Sequence, residues 1–453
     1  MSKTHIRDFT QGNITKQLIT FAWPLFLANL LQVVYNMVDM IIVGQALGKA
    51  GTSAVAVGGD ISMFLTFVAM GFSSAGQVLI AKYIGARETG KLGRFVGTMT
   101  GFMFLCSLSI SAAALLCQDG ILRLMNTPAE SYAEASNYAA ICMAGLVFIT
   151  GYNMVSAILR GMGDSKHPFL FIGIAATLNV VLDLVFVMGL DMGAGGAALA
   201  TVISQGVSFL SCAVFLLRRK EQFSLHLSWG DLIHWDREML GNLVKLGVPM
   251  ALKFAAIQFS RLFVNSWINS YGVVVSAFAG IAAKISSTAV MVSNSFNTAG
   301  STMVGQNLAA GEFDRVKRVV FRVISITLII ATVVSVSLAL FPNTIFGLFT
   351  KEEAVLALVR GYLPIAFLLC YGSAMRSGMN ALINGSGNHR VNLACDILDG
   401  IVMRIGLALL FGLALDMKHF GFWLGDALAG FTPFFIGLAF YLSGRWKKGF
   451  APK

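Results

Sequence analysis

Asp39 and Asp183 are the residues of this chain best placed to do chemistry. Each interrupts an apolar stretch, Asp39 within Tyr35-Asn36-Met37-Val38-Asp39-Met40-Ile41-Ile42-Val43 and Asp183 within Asn179-Val180-Val181-Leu182-Asp183. A charged group at the middle of a membrane span costs roughly 2.5–3.5 kcal/mol on insertion scales, so such an acid is expected to face the protein interior and to have a function. Tyr35 precedes Asp39 by four residues and Asn179 precedes Asp183 by four, so each acid shares a helix face with a polar neighbour. The competing reading places each acid near a helix end, in contact with water. A carboxylate enclosed by apolar groups accepts a proton more readily, because desolvation penalises the charged form. Two such carboxylates with hydroxyl and amide oxygens nearby could instead hold a small cation such as Na⁺. Either ion removes charge on binding and changes which hydrogen bonds the helix makes. A cationic compound competing for the same charge would be expelled when the ion arrives, which is a physical route to antiport.

The second half of the chain is charged differently. Lys253, Arg261, Lys284, Arg376 and Arg404 fall in or close to apolar stretches, with Asp396 and Asp399 beside them. One reading is snorkelling or ion pairing, for example Asp399 with Arg404. The other is a basic wall that favours an anionic or zwitterionic ligand. The 21 Met and 35 Phe residues would give an adaptable cavity wall, although most are expected to pack in the core or against lipid.

The elements that must position these residues are membrane helices. Hydrophobic residues make up 56% of the 453 positions and charged residues 12%, too little polar surface to cover a soluble globule. Apolar stretches of about 20 residues, the length that crosses a bilayer, recur along the whole chain. Twelve are expected: 18–43, 53–81, 94–117, 134–158, 168–190 and 194–217, then 241–269, 275–304, 319–341, 359–382, 391–414 and 420–443. Met1–Lys16 is polar, no cleaved signal peptide is expected, and the first apolar run is long enough to stay as a span. The net charge of +11 lies in short loops and reads as an orientation signal, not as a nucleic-acid surface. Lys3, Arg7, Lys16, Lys82, Arg87, Lys91, Arg94, Arg160, Lys166, Arg218, Arg219, Lys220, Arg237, Arg315, Lys317, Arg318, Arg390, Arg445, Lys447, Lys448 and Lys453 collect on one side. Only Lys49, Arg123, Lys351, Arg360 and Lys418 fall on the other, so both termini are expected in the cytoplasm. Cys106, Cys117, Cys142, Cys212, Cys370 and Cys395 form no metal-binding spacing and read as small packing residues.

The chain repeats itself. At a shift of 224 residues, seven of the 25 positions in 72–96 are identical to their counterparts in 296–320, against about two expected by chance. Gly161 and Gly163 meet Gly385 and Gly387 at the same shift, and Pro24 meets Pro249 one residue out of step. A repeat of six helices enters the membrane in the same direction twice, as in parallel-repeat transporters. The fold class expected is all-α and integral to the membrane: two pseudo-symmetric six-helix bundles around a central cleft. The first lobe would take residues 1–218 and the second 241–453. Residues 219–240 would be a cytoplasmic linker, with 225–240 an amphipathic helix at the interface, carrying Leu227, Trp229, Leu232, Ile233 and Trp235.

Tyr35 through Gly44, Arg160-Gly161-Met162-Gly163-Asp164, Asn179 through Asp183, and Val304-Gly305-Gln306-Asn307, in this order and spacing, resemble the multidrug and toxic compound extrusion family. The resemblance covers essentially the whole chain and favours the bacterial branch that includes the staphylococcal multidrug exporter. It implies a V-shaped protein with two lobes and a large central cleft, and efflux driven by an inward H⁺ or Na⁺ gradient. It implies a coupling-ion cluster of Asp39, Asn179, Asp183 and Thr201, with Tyr138 and Asn153 lining the same cavity. Some relatives carry a Glu in the seventh helix and an Asp in the tenth. Here the seventh offers Gln258 and no acid, and the tenth offers Arg376 and Asn380, which moves the expected ion site to the first lobe. Tyr35, Tyr138, Asn153, Gln258, Arg261, Lys284 and Arg376 are the expected substrate-cavity residues.

The function expected is a secondary-active antiporter in the bacterial plasma membrane. It would export small organic compounds, cationic and amphipathic, in exchange for H⁺ or Na⁺. The alternatives are export of a specific anionic or zwitterionic metabolite, or flipping of a lipid-linked saccharide. An enzyme would need a polar catalytic loop or metal-ligand cluster, and the short loops offer neither. No cofactor beyond the coupling ion is expected, no nucleic acid, and the unit of action is expected to be a monomer in the bilayer.

Overall fold

The computed structural model describes residues 6–125, 127–225 and 228–448, with the side chains of Lys49, Ala50 and Trp229 left out. Lys3, Leu227 and Lys453 therefore lie outside the described residues, as do the side chains of Lys49 and Trp229. Among the described residues every regular element is helical.

Among the described residues, ten helices are long and apolar enough to cross a membrane. In the first half these are Ile14–Gly48, Gly51–Gly85, Thr89–Leu116, Lys166–Gly189 and Gly193–Arg218. In the second they are Arg237–Asn269, Val273–Ala309, Phe313–Leu340, His389–Ala414 and Lys418–Leu442. Ala129–Ala144 and Leu146–Gly161, bent by 46° at Gly145, form an eleventh together. The twelfth expected segment is the helix Val359–Ser386, long enough at 28 residues but interrupted by Arg360, Arg376 and a run of small polar residues. Gly48, at φ 62°, breaks what would otherwise be one 72-residue helix, because glycine reaches the left-handed region without steric cost.

The chain divides into two units, one of residues 1–8 and 23–251, the other of residues 9–22 and 252–453. This division falls elsewhere than the expected 1–218 and 241–453, for two physical reasons. Met239, Leu243, Leu246 and Met250 pack into the first unit's core with Phe72, Phe95 and Ile158. Residues 9–17 are held in the second unit by Arg315, which donates to the carbonyls of Phe9 (2.8 Å), Gln11 (2.8 Å) and Gly12 (2.9 Å) and to Gln17 Oε1 (2.9 Å). Gln306 Oε1 accepts from the Phe9 amide at 2.9 Å, and Asn307 donates to the Phe9 carbonyl at 3.2 Å.

The expected amphipathic helix over 225–240 is not a single element. Ser228 caps a five-residue helix, Trp229–Ile233, in a capping box with Asp231. The chain then breaks at 234–236 and the seventh span begins at Arg237. Leu232 and Trp235 lie against the helix Thr89–Leu116, where Gly101 leaves room for the Leu232 carbonyl and the Trp235 ring. Arg94 pairs with Asp236 at 3.5 Å, and the Asp236 amide donates to Thr98 at 3.3 Å. The linker is thus packed onto its own unit along much of its length.

The sequence repeat is also a repeat of contacts. A Cβ on Gly161 would stand 2.8 Å from the Gln77 carbonyl and 2.9 Å from Ile80. A Cβ on Gly385 would stand 2.7 Å from the Ser301 carbonyl and 2.7 Å from Val304. Gln77 and Ser301, like Ile80 and Val304, are 224 residues apart. Both close helix crossings therefore need glycine at the same place in each copy.

Candidate functional site

Asp39 sits in the first span, Asp183 and Asn179 in the fifth, and Thr201 in the sixth. Asp39 is 7% exposed, Asn179 1% and Asp183 0%, so neither acid meets water as at a helix end. Asn179 Nδ2 donates to Thr201 Oγ1 at 3.4 Å. That bond turns the amide so that its Oδ1 has no partner among the described residues. Asp39 Oδ1 and both carboxylate oxygens of Asp183 are likewise without a partner. Asp39 and Asp183 lie close enough to feel each other's charge.

The apolar cluster of these helices mixes larger residues such as Ile42, Val55 and Val187 with many small ones. Ala54, Ala135, Ala139, Ala194, Ala197 and Ala198 are buried there, with Tyr138 and Cys142. Tyr138 lies within electrostatic range of both acids, and its ring occupies the space a side chain at position 58 would need. Tyr35 is buried and its hydroxyl accepts from Gln205 Nε2 at 3.5 Å. Immediately after Asp183 the helix widens to π geometry over Leu184–Gly189, a deformation frequent at functional sites.

The donors that could hold a cation here are all oxygens: two carboxylates, an amide Oδ1 and a hydroxyl. They suit a proton or a small hard cation such as Na⁺. Among the described residues no three His, Cys, Asp or Glu side chains converge as a transition-metal site would require.

The second unit holds a different cluster. Arg404, 3% exposed, pairs through Nη2 with Asp399 at 3.3 Å and through Nη1 with Asp426. Lys253 pairs with Asp396 at 2.8 Å. The ion pairing read between Asp399 and Arg404 is therefore present. Asp399 lies in a second π-helical stretch, Leu398–Met403. Arg376 is half-buried, while Arg261 and Lys284 are exposed.

Of the expected residues, the structure gathers Asp39, Asn179, Asp183, Thr201, Tyr138 and Tyr35 in the first unit. Asn153, half-buried, donates its amide to the Ile149 carbonyl of its own helix at 2.9 Å. Gln258 is half-buried in the seventh span. Three residues escaped the sequence reading. Gln205 carried no charge signal. Asp60 and Asp426 are acids inside apolar helices, so the rule that singles out Asp39 also applies to them.

Comparison with known proteins agrees with this architecture. The MatE family pattern matches the chain twice, over residues 24–185 and 249–410, which is the repeat itself. The chain is 30% identical to the probable multidrug resistance protein YpnP of Bacillus subtilis, over 97% of each chain. It is 22% identical to the multidrug export protein MepA of Staphylococcus aureus, over 89% of this chain and 88% of that one. A MOP-superfamily transporter from Pyrococcus furiosus superposes with a TM-score of 0.88 at 24% identity, covering 99% of this chain and 100% of its own. With two copies of the family pattern in order, the chain belongs to the MatE family, the multidrug and toxic compound extrusion transporters.

Proposed function

We propose that this protein is a secondary-active antiporter that exports small organic compounds in exchange for H⁺ or Na⁺. The observation that carries the reading is the pair Asp39 and Asp183, both buried and within electrostatic range of each other, with Asp39 Oδ1 and both Asp183 carboxylate oxygens unpartnered among the described residues. An unpartnered buried carboxylate is among the most expensive groups a membrane helix can hold. Taking up a proton or Na⁺ relieves that cost. Releasing the ion restores it. A binding event that changes the energy of one conformation more than another shifts the balance between them. In an alternating-access cycle this couples ion entry to substrate exit.

In this reading the protein acts as a monomer in the bacterial plasma membrane, with both termini in the cytoplasm, the side that the loop lysines and arginines favour. The multidrug names of YpnP and MepA support a small organic cargo. The P. furiosus neighbour is described as having a binding pocket of reverse polarity.

The test is transport in proteoliposomes under an imposed pH gradient or an imposed Na⁺ gradient. One of the two should drive accumulation of a fluorescent substrate, and Asp39→Asn should remove it while the protein remains folded. Equal transport with and without both gradients would refute the reading.

A further inference from the structure

The second unit contains more cations than it can neutralise. Arg404 holds both Asp399 and Asp426, and Lys253 holds Asp396. Arg376 and Arg261 lie within electrostatic range of Asp399, Asp426 and Arg404, and Arg376 also of Arg261. Neither has a hydrogen bond or ion pair to its guanidinium among the described residues. Four bases thus face three acids, and the acids are committed to the other two bases.

A guanidinium without a counter-charge in a membrane span is as costly as an unpaired acid. Arg376 is half-buried and Arg261 exposed, so neither guanidinium is sealed inside the protein. Arg376 shares a helix face with Ser373 and Asn380, three residues before it and four after it. These are 3% and 8% exposed, and Ser373 Oγ and Asn380 Oδ1 lack partners among the described residues. The second unit therefore offers a polar, positively charged cluster whose hydrogen-bonding capacity is incompletely used. The bound Arg404–Asp399–Asp426 group is fixed and supplies no acceptor for Arg376 at hydrogen-bond distance.

We propose that Arg376 and Arg261 bind an anionic group, a carboxylate or a phosphate, of the exported compound. The inference rests on the transporter reading and names its substrate class: an organic anion or zwitterion, in place of the cationic cargo first expected. Arginine suits the task because its planar fork matches either oxyanion in a bidentate fashion. The paired acids beside it hold the local excess near a single positive charge, enough to attract an anion without trapping it.

The test compares two dyes built on one xanthene scaffold, anionic carboxyfluorescein and cationic rhodamine 6G. Their binding to the purified full-length protein in detergent is followed by fluorescence anisotropy, with empty micelles as blank. No gradient is applied, so the result is independent of ion coupling, which only the proteoliposome assay reads. Carboxyfluorescein should bind more tightly than rhodamine 6G. Arg376→Gln and Arg261→Gln should each weaken carboxyfluorescein about tenfold, the equivalent of about 1.4 kcal/mol, and leave rhodamine 6G unchanged. Arg376→Lys should recover part of the loss. Arg261 is exposed, so its variant reports on binding even if the Arg376 variants misfold, which thermal melting would reveal. Competition by benzoate and by phenyl phosphate separates the two oxyanions. Tighter binding of rhodamine 6G, or carboxyfluorescein binding that neither substitution changes, would overturn the proposal.

Discussion

The two units solve the same packing problem with opposite electrostatics. At the spacing of 225 residues set by the family repeat, Asn179 and Thr201 correspond to Arg404 and Asp426. Both pairs join across the same 22-residue separation, one as an amide–hydroxyl hydrogen bond, the other as a partly buried ion pair. At that spacing Asp39 and Asp183 correspond to Val264 and Ala408, both in the second unit's apolar core. The surroundings differ in the same sense. Ala197 and Ala198 of the first unit correspond to Phe422 and Trp423 of the second. At the neighbouring spacing of 224, Ala54 corresponds to Phe278, and Phe278 packs on Trp423 with ring centroids 5.3 Å apart.

The acids of the second unit are therefore paired from within. Arg404 acts as a built-in cation for its acids, and aromatic rings fill its core. The first unit has acids without a base and small side chains around them. It is satisfied only by something that comes from outside. A duplicated fold can thus pair the acids of one copy internally while the acids of the other are left needing an ion.

The largest effects expected follow from that contrast. Asp183→Asn and Asp39→Asn should each reduce gradient-driven transport to the level of empty liposomes. Neither should lower the melting temperature, since each removes an unsatisfied buried charge. Robust transport by either variant would remove that acid from the mechanism. In the second unit the sign reverses. Arg404→Met leaves Asp399 and Asp426 without their base and should destabilise the fold by about 3–5 kcal/mol, read as a fall in melting temperature. An Arg404→Met protein as stable as the parent would show that the ion pair is not what holds these helices.

The repeat itself can be tested next. Gly161→Ala and Gly385→Ala each drive a Cβ into a carbonyl oxygen and a branched side chain at equivalent crossings. Each should destabilise by about 1–3 kcal/mol, and by similar amounts. A marked inequality would break the equivalence of the two crossings. The smallest change expected is Thr201→Val. It removes one long hydrogen bond to Asn179 and should weaken ion-driven transport by about fivefold, or about 1 kcal/mol.

Much of this was legible in the sequence because membrane helices announce themselves. Long apolar runs gave the spans, and Asp39 and Asp183 stood out against them. The shifted identities at Gly161 and Gly385 proved to be equivalent contacts. Other features depend on tertiary packing that periodicity does not record. The alternation of Leu232, Ile233 and Trp235 suggested a helix through 225–240, yet Gly97 and Gly101 of the third span provide a seat on which the chain breaks and docks. Met1–Lys16 read only as a polar segment, and residues 9–17 turn out to be anchored. They are held because Arg315, Gln306 and Asn307, far away in sequence, supply the hydrogen bonds. Asn153 is assigned to the cavity by resemblance alone, and periodicity does not record that its amide donates to the Ile149 carbonyl of its own helix. Asp426 was readable as an acid in a span. Its pairing with Arg404 was not, because the two lie in different helices.

The most direct test is to count the cations bound by purified protein in the absence of substrate. Na⁺ uptake is measured by equilibrium binding of ²²Na⁺, and proton uptake by potentiometric titration. The account predicts that one of the two ions binds the parent protein, that binding disappears when Asp39 and Asp183 are both replaced by Asn, and that it survives replacement of Arg261 by Gln. Undiminished cation binding in the Asp39→Asn, Asp183→Asn double variant would contradict it.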